Sequence, residues 1–136
     1  MIVKNGLILM SLLVFLSCQK QVLDITISPD KDVVHPGDTI NVSVLAQSGS
    51  AITYLWATIE VFCAIDNFPY EERYLGAGTL LEISKKSHKL QGDFSYVVPT
   101  SVYGSEYGPY DFLKIWVFCE QGSKQVKKAL KVDINI

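Results

Sequence analysis

Apolar and polar residues alternate along most of this chain with the two-residue period of a β-strand, not the 3.6-residue period of a helix. The clearest stretch is Phe112-Leu113-Lys114-Ile115-Trp116-Val117-Phe118-Cys119. Leu113, Ile115, Val117 and Cys119 leave one face of such a strand and Phe112, Lys114, Trp116 and Phe118 the other. The first set predicts core. The second set puts three aromatic rings on a face that a half-buried strand turns to water.

The same pattern predicts a strand at 24–28, stopped by Pro29, then a polar turn region at 30–38 built on Pro36-Gly37-Asp38. A second strand follows at 39–47, with Ile40, Val42, Val44 and Ala46 on one face, and Ser48-Gly49-Ser50 turns the chain. The third strand, 52–63, puts Leu55, Ala57, Ile59, Val61 and Cys63 on one face and Tyr54, Trp56, Thr58, Glu60 and Phe62 on the other. Composition admits a helix there, but β-branched and aromatic content and the alternation favour a strand. Residues 64–78 read as irregular, with a short edge strand around 73–75, and 79–84 as another short strand. A basic turn at 85–89 leads into a strand at 93–98, ended by Pro99. A Gly- and Tyr-rich loop at 100–110 precedes the stretch described first. Gln121-Gly122-Ser123 turns the chain into a last strand at 125–136. About seven short strands with turn signals between them predict an all-β, antiparallel sandwich in one domain, 24–136.

Charge excludes little. Twelve basic against fourteen acidic residues give a net charge of −2. So small a balance gives no sign of a nucleic-acid partner or of a polybasic membrane patch. The N-terminus carries more information. Lys4 precedes an apolar run, 6–16, that is shorter than the roughly 20 residues a spanning helix needs. It ends in Phe15-Leu16-Ser17-Cys18, which resembles a bacterial lipobox. That resemblance implies that 1–17 is a cleaved lipoprotein signal peptide, that Cys18 is lipidated and that 18–23 is a tether. An ordinary signal peptide with an incidental Cys18 and a retained anchor are the alternatives. Gln19, rather than Asp, after the cysteine implies the outer membrane of a bacterial cell envelope. The absence of an acidic run in Gln19-Lys20-Gln21 implies its periplasmic side. Cleavage removes Lys4 and no acid, leaving eleven basic against fourteen acidic residues, a net charge of −3.

Beyond the tether, Pro36-Gly37-Asp38, Tyr54-x-Trp56, Phe94-x-Tyr96-x-Val98-Pro99 and the closing hairpin from Tyr110 through Gly122 resemble an immunoglobulin-like, PKD-like β-sandwich of bacterial surface proteins. Ala57-Thr58-Ile59-Glu60 stands where PKD domains often carry an acidic-glycine signature, so the broader label fits better. The resemblance implies that the third, sixth and seventh strands are neighbours in one sheet. Cys63 and Cys119 then end antiparallel neighbours at opposite edges, too far apart for a bridge. Val44 stands where an intersheet bridge would need a cysteine, so both are expected to be buried thiols even in a disulfide-permissive compartment.

The same topology gathers Tyr54, Trp56, Phe112, Trp116 and Phe118 on one outer face, beside Lys127, Ala129 and Lys131. Such a face is a candidate surface for an envelope protein, since tryptophan and tyrosine anchor interfaces, or for the flat rings of a glycan. The alternative is that residues 78–89 or the Tyr-rich loop fold over it as a second core layer, or that lysine stems cover it. A weaker candidate is the loop end holding Asp66, Tyr103, Glu106, Tyr107 and Tyr110, which would bind a glycan or a calcium ion; no Asp-x-Asp-x-Asp spacing supports calcium. There is no phosphate loop, nucleophile elbow or Cys/His metal spacing, and His35 and His88 both fall in turns. The expectation is a non-catalytic, membrane-anchored lipoprotein with an Ig-like interaction module, needing no metal or other cofactor. The alternative is a carbohydrate-binding accessory lipoprotein.

Overall fold

The computed structural model describes residues 22–65 and 68–136, which are all-β. Three strands, β1 (Asp24–Pro29), β3 (Thr39–Ile52) and β7 (Ser87–Val97), form a smaller antiparallel sheet in the order β1-β3-β7. The larger sheet has the order β2-β9-β8-β4-β5, where β2 is Val33–Val34, β4 Tyr54–Ile65, β5 Phe68–Gly76, β8 Phe112–Gln121 and β9 Lys124–Ile134. A further strand, β6 (Leu81–Ile83), pairs with β4 beyond the end of β5. The expected adjacency of the third, sixth and seventh predicted strands is found as β4-β8-β9.

Alternation built the core. Ile40, Val42, Val44 and Ala46 of β3 face Leu55, Ala57, Ile59 and Val61 of β4 and Leu113, Ile115, Val117 and Cys119 of β8 in one buried cluster. Each fully buried valine, leucine or isoleucine there contributes about 1.5–3 kcal/mol relative to an exposed one. Cys119 lies opposite Leu55, whereas Cys63 lies one residue beyond the Phe62–Phe112 pair, at the other end of the sheet. Both are buried thiols, as expected.

Several elements differ from the sequence reading. Ser48-Gly49-Ser50 does not turn the chain; β3 continues through it to Ile52. Five residues, Gln47 to Ile52, advance against only two on β7, Lys89 to Ser87, so the polar triplet is a bulge. Gln121 satisfies it, its Nε2 donating to Ser48 Oγ at 2.8 Å and to Ser50 O at 3.1 Å. The bulge carries the chain across to the other sheet, where Thr53 N donates to Glu120 O at 2.8 Å. The basic turn is confined to Lys85 and Lys86, since β7 already begins at Ser87. Residues 64–78, expected to be mostly irregular, hold β5 as an edge strand on β4. Within the Pro-Gly turn region Val33–Val34 pairs in parallel with Asp133–Ile134.

Candidate functional site: the outer face of the larger sheet

Register sets the outer face row by row. Trp56 stands opposite Phe118, and Phe118 opposite Lys127. Thr58, Trp116 and Ala129 form the next row, Glu60, Lys114 and Lys131 the third, and Phe62, Phe112 and Asp133 the fourth. Cross-strand neighbours of this kind lie close enough for side chains to touch.

The rings make a ladder. Trp56 and Phe118 stack with centroids 4.0 Å apart and planes 6° from parallel. Trp116 lies 6.1 Å from Phe118, and Phe62 stacks on Phe112 at 5.0 Å. Lysines thread between them. The Lys114 ammonium is 5.7 Å from both the Phe62 and Trp116 centroids, Lys127 lies 5.7 Å from Trp116, and Lys131 lies 4.5 Å from Phe112. Ammonium groups at this range are attracted to the ring quadrupole. Tyr54, Trp56, Phe112, Trp116 and Phe118 are each half-buried, neither bare nor part of the core. Trp116 Nε1 is buried and meets no acceptor among the described residues.

Both segments considered as a covering layer pack elsewhere. Residues 77–80 follow the edge of β4: Ala77 N donates to Ile59 O, Leu80 N to Ala57 O and Thr58 Oγ1 to Gly78 O. Leu81 and Ile83 pair with Ala57 and Leu55 on the core side, and both would meet a Cβ placed on Gly92. Only Glu82 of β6 joins the outer face, accepting from the Tyr54 hydroxyl at 2.6 Å, a bond that holds that hydroxyl above its usual pKa. From the Tyr-rich loop, Val102 and Tyr107 enter the core.

The loop residues named from sequence do not converge. Tyr103 and Tyr110 are exposed, Glu106 is exposed, and Asp66 lies outside the described residues. Tyr107 is no surface residue: it is 6% exposed, and burial pushes its hydroxyl well above the usual tyrosine range. A loop tyrosine used as core carries no periodic signature, which is why alternation could not separate it from its neighbours. Asp111, which the sequence reading passed over, organises this end. It is 3% exposed, its carboxylate accepts from Gly108 N, and its carbonyl accepts from Ile134 N at 2.9 Å. Arg73 Nη1 donates to Tyr103 O, and with Tyr74 and Gly76 these residues line an open depression of about 370 Å³. Among the described residues no three His, Cys, Asp or Glu side chains are grouped to hold a metal.

Neither thiol is set up as a nucleophile. Cys63 Sγ donates to Glu106 O at 3.2 Å. Burial pushes the Cys119 thiol up to about 11, so thiolate is scarce at neutral pH. Cys18 lies outside the described residues.

No protein-family model matches the chain, and no curated protein matches it. Similar solved structures include the sporulation control protein Spo0M of Bacillus subtilis, 13% identical with a TM-score of 0.57, matched over 84% of this chain and 49% of that one. Another is the Pseudomonas fluorescens alkylpurine DNA glycosylase AlkC bound to DNA containing an abasic site analog, 12% identical with a TM-score of 0.53, matched over 88% of this chain and 35% of that one. The chain thus spans about half the length of the first and about a third of the second. At these identities the likeness is one of fold alone, a two-sheet β architecture carried by proteins of different activities.

Proposed function

We propose that this chain is a non-catalytic, lipid-anchored module of the bacterial cell envelope, with an immunoglobulin-like sandwich that binds a partner protein through the outer face of β4, β8 and β9. The observation that carries the reading is the ring-and-lysine ladder, which residues 77–83 and the Tyr-rich loop leave uncovered. Aromatic rings held in place by stacking and by lysine stems offer a large contact area with little rotamer entropy left to lose on binding. The ladder favours a protein over a glycan. A sugar ring packs on a bare aromatic face, whereas Trp56 has Phe118 stacked on it and Trp116 has two ammonium groups over it. Lipid anchoring follows from the resemblance of Phe15-Leu16-Ser17-Cys18 to a lipobox.

The test is site-specific photo-crosslinking in cells from Thr58, at the middle of the face, with Thr26 on the outer side of the smaller sheet as control. A discrete protein adduct is expected from Thr58 only, and its loss in Trp116→Ala. Equal crosslinking from both positions refutes the reading. Retention on a polysaccharide gel that Trp116→Ala abolishes would favour the glycan alternative instead.

A further inference from the structure

The described charges are sorted along the strand axis. Asp24, Gln47 and Lys89 lie in one cross-strand row at the end where β1 begins. The same end holds the Lys85-Lys86 turn and the β8–β9 hairpin, tied to the Ser48 bulge by Gln121. Lys128 reaches it too, its ammonium donating to Ile25 O at 2.7 Å. Lys85, Lys86, Lys89, Lys124, Lys127 and Lys128, all exposed, thus stand on or near this end against three acids, Asp24, Glu82 and Glu120. The opposite end carries Asp30, Asp32, Asp38, Glu106, Asp111 and Asp133, against Lys31, Arg73 and Lys131, whose ammonium is 3.9 Å from the Asp133 carboxylate, while Lys114 and Glu60 stand opposite each other in the row before it. A small net charge therefore hides a strongly polar molecule.

The chain also enters at the basic end. Val22 lines an open depression of about 430 Å³ there with Asp24, Gln47, Ser48, His88 and Lys89. Cys18 stands only four residues before Val22, and four residues reach at most about 14 Å however they run.

We propose that this end is a docking surface for anionic lipid headgroups, which stands the domain upright on the membrane with its acidic loop end outward. The proposal rests on the reading of Cys18 as the anchor. Screening confines the attraction to the near end. Ten residues of β8 span about 33 Å, several times the roughly 8 Å screening length at physiological salt. The acidic end is then too far away to cancel it. A lysine close to an anionic surface strengthens association roughly five-fold, and single acyl chains hold proteins far better beside a basic patch.

The test uses the full chain, made in a bacterium with its own leader, on vesicles of phosphatidylcholine alone or with about 30% phosphatidylglycerol by design. Flotation and the amine labelling of individual lysines are both read. If the protein floats on both vesicles, labelling of Lys85, Lys86 and Lys124 is expected to fall several-fold on the anionic ones while that of Lys31 stays unchanged. The triple variant Lys85→Glu, Lys86→Glu, Lys124→Glu should lose the anionic preference. Flotation on both with equal labelling overturns the docking surface and leaves the anchor standing. Flotation on anionic vesicles alone supports the surface and overturns the anchor. Flotation on neither overturns both.

Discussion

The stack of Trp56 on Phe118 should be measurable as a coupling energy. These residues face each other across β4 and β8, with rings 4.0 Å apart and nearly parallel. Aromatic pairs of this kind add about 0.5–1.5 kcal/mol beyond the area they bury. Truncating a core aromatic to alanine costs about 3–5 kcal/mol, and these rings are half-buried, so each single variant should lose about 1.5–2.5 kcal/mol. Phe118→Ala should be the costlier of the two because it also breaks the contact with Trp116. A double-mutant cycle of Trp56→Ala and Phe118→Ala, followed by circular dichroism in urea, isolates the pair and should give about 1 kcal/mol of coupling. The control is Trp56→Ala with Phe112→Ala, six residues along β8 from the Phe118 row and so about 20 Å away, where coupling should stay within about 0.3 kcal/mol. A stacked-pair coupling no larger than the control would show that the rings move independently. The face would then lack the preorganisation on which the proposed interface depends.

Three further outcomes follow from the core, the closing turn and the buried thiol. Ile115→Ala, at a position of zero exposure on the central strand, should cost about 2–5 kcal/mol in the same urea assay. Gly122→Ala should cost about 1 kcal/mol, because Gly122 sits at φ +62° as the first residue of a two-residue hairpin between Gln121 and Lys124. Stability should also fall in alkali. The Cys119 thiol titrates near 9 when unfolded and near 11 when folded, so burial disfavours the thiolate. Its contribution is intact below pH 9 and is lost as pH rises from 9 to 11, by up to about 2–3 kcal/mol. Buried Tyr107 pushes in the same direction at higher pH, so Cys119→Val should remove part of the alkaline slope and not all of it.

Strands in the middle of a sheet could be read from the sequence because burial on one face enforces alternation. The reading of β8 and of the register-bearing part of β3 depended on nothing else. The edge strands β1 and β7 were legible for the same reason, whereas β5 was read only around 73–75 and β2 was not read at all. β5 carries Pro69 and charged residues with one edge unpaired, and two-residue β2 is too short to show a period. Ser48-Gly49-Ser50 has turn chemistry, yet a bulge needs the same small polar residues, and only the bond from Gln121, more than seventy residues later, decides between them. On the outer face, the five aromatic residues gathered from the sequence share one side of the sheet with a sixth, Phe62, that was not among them, and the sequence could not show what stood over the rings. That depended on Lys114, Lys127 and Lys131 lying between the rings rather than pointing away. The sorting of charge was invisible to a sum, since opposite signs cancel there whatever their separation.

The entry of the chain through β1 has a mechanical side. β1 runs antiparallel to β3 over six paired positions, from Asp24 opposite Gln47 to Pro29 opposite Val42. A chain held by its N-terminus and pulled by whatever grips the far end is loaded along that strand rather than across it. Its backbone bonds to β3 then resist in shear, as a set, where a sideways pull would open them one after another. Were Cys18 the anchor proposed above, this geometry would let a small domain carry force without peeling open.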